Sequence, residues 1–100
     1  MAVISKVFSR TAAATSNTTL YTTTAGSTAV VTNILAANTS TSAATFTINF
    51  NSVAAFSSVP VGGNSTVTID LKQVLTAGQI VSGSASTTAI NFHISGVEIV

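Results

Sequence analysis

The chain has 100 residues, a formal net charge of +1, no cysteine and five formally charged side chains, Lys6, Arg10, Asp70, Lys72 and Glu98. A folded chain of this mass keeps roughly 5,200 Å² accessible, about one charge per 1,000 Å² of exterior, where isolated soluble domains carry far more. This excludes disulfide and thiolate chemistry, and it leaves no cationic field able to gather a phosphate backbone, so no nucleic acid is expected as a partner.

Residues 1–18 open the chain without a core pattern. Met1 to Arg10 has no continuous apolar stretch of the kind a secretory signal needs, and the segment TAAATSNTT that follows has no core pattern. This reads as an extended N-terminal arm and linker, with a sandwich body over 19–100; an edge strand followed by a loop is the competing reading. Exposed Val3, Ile4, Val7 and Phe8 at a terminus need burial against something. Together with Lys6 and Arg10 they are the candidate partner-contact residues.

Leu20 to Thr23 reads as a strand before a turn at Ala25-Gly26. Thr28 to Ala37 is a more buried strand, because Val30, Val31, Ile34 and Leu35 populate both faces. Ala43 to Asn51 alternates strictly, Ala44, Phe46, Ile48 and Phe50 against Thr45, Thr47, Asn49 and Asn51, which predicts a strand with one wet face. The turn signal at Pro60-Val61-Gly62-Gly63-Asn64 introduces Ser65 to Leu71, with Val67, Ile69 and Leu71 inward. Val74 to Gly78 reads as a turn or a single helical loop, and Ile80 to Ala85 as a weaker strand. Ala89 to Ile94 puts Ile90, Phe92 and Ile94 on one face; a bulge at Gly96 is then expected to shift the phase, making Val97 and Ile99 the next inward positions. Short strands, Gly/Ser/Asn/Pro connections and no sustained 3.6-residue period predict an all-β protein, a single antiparallel sandwich, jelly-roll or Ig-like, of about seven to eight strands. No apolar run approaches the roughly 18 residues of a spanning helix, so no membrane is expected as a partner.

Acid–base chemistry has few candidates. Asp70 and Glu98 are the only carboxylate side chains and fall on outward or terminal positions, which reads as two solvated or interface-facing acids. His93 stands beside Asn91 on the polar side of its strand, and one imidazole without a second His or Cys makes no zinc site. The serines lack a Gly-x-Ser-x-Gly elbow, and no glycine run has phosphate-loop spacing. The expectation is no catalytic residue, cofactor or metal, hence no enzyme, with Asp70 and Lys72 as a weak local ion pair.

The body from Thr19 onward resembles the small β-sandwich structural proteins of tailed bacteriophages, particularly capsid cement or decoration proteins. The resemblance rests on Leu20-Tyr21, Gly26, Val30-Val31, Asn38-Thr39-Ser40, Leu75, Gly78, Ile80 and Ser95-Gly96-Val97-Glu98. It departs at Thr23-Thr24, where many relatives have Val-Pro, and at Gln79, where Asp is common. The resemblance implies a non-enzymatic virion protein made in the host cytoplasm and placed on the capsid surface, stabilising capsomer junctions. The implied partners are the major capsid protein and further copies of itself, as a homotrimer. The alternative is a phage tail, fibre or host-recognition module in which an exposed Tyr21 and Thr-lined faces contact a receptor.

Overall fold

The computed structural model describes residues 2–100, all in one sandwich. Eight strands follow in order: β1 (Val3–Ala12), β2 (Thr18–Thr22), β3 (Thr28–Asn38), β4 (Ala44–Phe50), β5 (Val53–Val61), β6 (Thr66–Leu75), β7 (Ile80–Ala85) and β8 (Ile90–Ile99). They form two antiparallel four-stranded sheets, β1-β8-β3-β6 and β2-β7-β4-β5, here the first and second sheet. β1 pairs with β8, β2 with β7, β3 with β6 and β4 with β5. The chain is thus one long antiparallel hairpin, folded at β4–β5 and rolled so that successive pairs alternate between sheets. That is the connectivity of a jelly roll.

The second half of the hairpin tip was not legible in the sequence. Asn51 and Ser52 carry φ of 50° and 65°, the two positive values a type I′ hairpin turn requires. β5 behind them is largely exposed, because it is an edge strand with a broken register to β4. Its core alternation is correspondingly weak. Pro60 fits there, since an edge strand tolerates a missing N–H donor. At the opposite side of the roll, β6 continues through Val74 and Leu75. The expected loop therefore contracts to a turn in which Gln79 N–H donates to Thr76 O at 3.0 Å with Gly78 at φ +83°.

The core follows the alternation read from sequence in β4, β6 and the first half of β8. Phe46, Ile48, Ile90, Phe92 and Ile94 are buried, and Phe46 meets Phe92 edge-to-face across the two sheets, centroids 5.8 Å apart. Two expectations are corrected. Residues 3–12 are not a free arm but strand β1, laddered along β8 to the end of the chain, where Ala2 and Val100 exchange backbone hydrogen bonds of 2.9 Å. Also, β8 does not change phase at Gly96. The extra residues sit in its neighbours instead, Phe8 in β1 opposite Ile94 and Ser95, and Thr32 in β3 opposite Ser95 and Gly96. Because β8 keeps its phase, Val97 and Ile99 turn outward and Glu98 turns inward, where it is 7% exposed.

Candidate functional site

The inward turn of Glu98 assembles the one ionic cluster among the described residues. Its Oε2 accepts hydrogen bonds from Tyr21 Oη at 2.7 Å, Lys6 Nζ at 3.1 Å and Thr24 Oγ1 at 3.4 Å. The ammonium of Lys6 also lies over the Tyr21 ring, 5.4 Å from its centroid, and the Phe8 ring packs on Tyr21 at 4.5 Å. Lys6 and Phe8 come from β1, Tyr21 from β2 and Thr24 from the turn after it, so the cluster bolts the edge of one sheet to the edge of the other. An inward-pointing lysine on an edge strand also discourages unwanted strand addition.

The carboxyl of Glu98 is held below its ordinary value, chiefly by the Tyr21 hydroxyl and then by Lys6; the Lys6 ammonium is raised, chiefly by its bond to Glu98. A lowered carboxyl stabilises the fold above its unfolded-state value and loses that contribution as pH falls through the folded one. A raised amine is the mirror case at high pH. The unfolding midpoint of the native protein should therefore exceed that of Glu98→Gln by a constant margin from about pH 6 to 9. The margin should shrink as pH drops below 4.5 and again above 10.5. Thermal melts at each pH check this, and a margin unchanged down to pH 3 would remove the ion pair from the account.

Of the six contact residues expected from sequence, the structure leaves four free for a partner. Val3, Ile4 and Val7 are exposed apolar side chains, 66%, 47% and 49% accessible, and Arg10 is exposed on the same strand. Phe8 belongs to the core and Lys6 to the Glu98 cluster. Asp70 and Lys72 both stand on the outer face of β6, but among the described residues they do not pair. Asp70 instead accepts from Asn33 Nδ2 at 3.1 Å. Asp70 and Glu98 lie on opposite faces of the first sheet with β3 between their strands, so they form no carboxylate pair. His93 stands outward, beside Arg10 and Leu35 in register. No group of three or more potential metal ligands occurs among the described residues.

Two surface features could not be read from the linear chain. All five formally charged side chains fall on the first sheet, on β1, β6 and β8, whereas β2, β4, β5, β7 and every connecting segment carry none. The outer side of the second sheet is uncharged, with Thr45, Thr47 and Asn49 on β4, Pro60 and Ala54 beside Thr45 and Asn49 on β5, and an Asn49–Asn17 side-chain bond of 3.1 Å. The outer side of the first sheet is apolar near the chain ends and holds an open depression of about 410 Å³ beside Val7 and Val97, too shallow to enclose a small molecule. The arrangement is suited to flat contacts between macromolecules. Comparison with protein-family models, curated proteins and solved structures returned no match.

Proposed function

We propose that the chain is a non-enzymatic virion structural protein, a cement or decoration protein that binds the outer capsid surface and stabilises the junctions between capsomers. The observation that carries this reading is the partition of charge. One broad face and both loop-bearing ends have no charged side chain, and neutral hydroxyls and amides can be desolvated against a partner at far lower cost than ions. The exposed Val3, Ile4 and Val7 on β1 add apolar contact, and the Glu98 cluster is spent on holding the sandwich closed. The resemblance of the body to phage cement proteins supplies the virion setting.

Deleting residues 1–18 would be a poor test, because it removes β1 and the core residue Phe8. A charge placed on the second sheet is cleaner: Thr45→Lys points outward from β4, whereas the neighbouring Thr47 hydroxyl accepts the Ser58 N–H at 3.1 Å and holds the edge strand. Heads lacking the protein, mixed with the native chain, should bind many copies and resist heat better; with Thr45→Lys both effects should largely vanish while the isolated variant melts normally. Undiminished binding by the variant would sink the capsid-floor role of this face. The tail or host-recognition alternative is weakened by Tyr21, which is half-buried with its hydroxyl bonded to Glu98. A copy number of only a few per particle would favour it.

A further inference from the structure

The outer side of the first sheet carries an apolar band that crosses all four strands. Register places Ser5, Val97, Val30 and Val74 in one row and Val3, Ile99 and Thr28 in the next. Val3 and Val74 are 66% and 60% exposed, and Val30, Val97 and Ile99 are half-buried. Beyond these rows the same face is mixed, with exposed Lys72 and Asp70 on β6 beside Asn33, half-buried Leu35, His93 and Arg10. A contiguous apolar patch on a sheet face marks a contact surface.

We propose that this face packs on the same face of a second copy, across a twofold axis parallel to the strands. Such an axis lays β1 over the other copy's β6 and β8 over its β3, while keeping the apolar ends together, so that Val97 covers the second copy's Val30. A twofold axis perpendicular to the strands would instead set the apolar band on His93 and Asn91. The parallel axis also matches charge. Arg10 shares its row with His93, Leu35 and Thr68, so it overlies the other copy's Thr68. Asp70 is the next same-face residue along that β6, roughly 7 Å away, within reach of a guanidinium. Among the described residues neither Arg10 nor Asp70 is in an ion pair, and the salt bridge is Lys6–Glu98. Symmetry makes the contact twice, Arg10 to Asp70 and Asp70 to Arg10, as an isologous interface requires.

The size is sufficient. With principal extents of 45 × 21 × 18 Å, one broad side approaches the ~800 Å² that each partner loses in a standard interface. Aligned packing of two sheets is an established way to bury such faces. The contact involves this chain alone and does not rest on the virion reading; it takes Val3 into a twofold pair, where the resemblance implies a homotrimer.

Sedimentation equilibrium of the full chain between about 1 and 100 μM tests it, a range in which interfaces of this size associate. A dimer is expected. Val97→Lys should leave a monomer, and Arg10→Asp or Asp70→Arg alone should weaken dimerisation about tenfold or more by setting like charges across the contact. The double variant Arg10→Asp/Asp70→Arg should restore it. Both charged positions are exposed, so these variants carry the test even if Val97→Lys folds poorly. A monomer at the highest concentration, a trimer mass, or a dimer that the double reversal fails to restore would overturn the twofold pairing.

Discussion

Gly96→Ala should destabilise the fold by about 3 kcal/mol, the upper part of the overpacking range, and lower the melting midpoint by about 15 °C for a domain of this size. A Cβ at this position would press on the Val30 carbonyl oxygen and come within 2.9 Å of Phe8 Cε2. The phenyl ring can shift; the carbonyl belongs to a central strand paired on both sides and cannot. β3 bulges at Thr32 beside this residue and β1 bulges at Phe8 one pair further along, so the glycine leaves room for the Val30 carbonyl and the Phe8 ring to crowd there. Gly62→Ala is the matched control. An added Cβ there meets nothing closer than Ser65 Oγ at 3.4 Å, and its effect should stay within about 0.5 kcal/mol. Chemical denaturation of both variants measures the difference, and equal midpoints would mean that the bulged row is not rigid.

Phe92→Ala should cost still more, about 4 kcal/mol out of the roughly 5–15 kcal/mol that stabilise a domain. Phe92 is fully buried in β8, flanked in register by Ala36, whose small side chain leaves room for the ring, and met edge-on by Phe46 from the other sheet. Truncation opens a cavity between two sheets that are each tied by backbone ladders and cannot collapse into it. Phe46→Ala should cost a similar amount, and the double variant less than the sum by about 1 kcal/mol, the value of an edge-to-face pair. Strict additivity in the cycle would show that the two rings do not interact across the interface.

Legibility in the sequence followed position in the fold. β4 was readable residue by residue because Ala44, Phe46, Ile48 and Phe50 face one core and Thr45, Thr47 and Asn49 face water. β5 was invisible because an edge strand with a broken register buries too little to impose alternation on Val53 to Val59. The contact candidates divided the same way. Val3, Ile4 and Val7 are exposed apolar side chains as their pattern suggests, but Phe8 and Lys6 are claimed by residues far along the chain, Tyr21 and Glu98. Glu98 was misplaced because the phase of β8 depends on where bulges fall, and they fall in the neighbouring strands rather than at the glycine.

By itself, the amino-acid sequence determined that the protein is all-β, which strands carry the core, and that its surface is nearly free of charge. Those properties are local or additive, since period-two burial and composition need no knowledge of partners. The tertiary structure decided what that scarcity means. Strand pairing is non-local, and rolling the hairpin gathers Lys6, Arg10, Asp70, Lys72 and Glu98 onto one sheet while leaving the other face neutral. It also turns one acid inward as a bolt and lines up Val97, Val30 and Val74, distant in sequence, as a single apolar row.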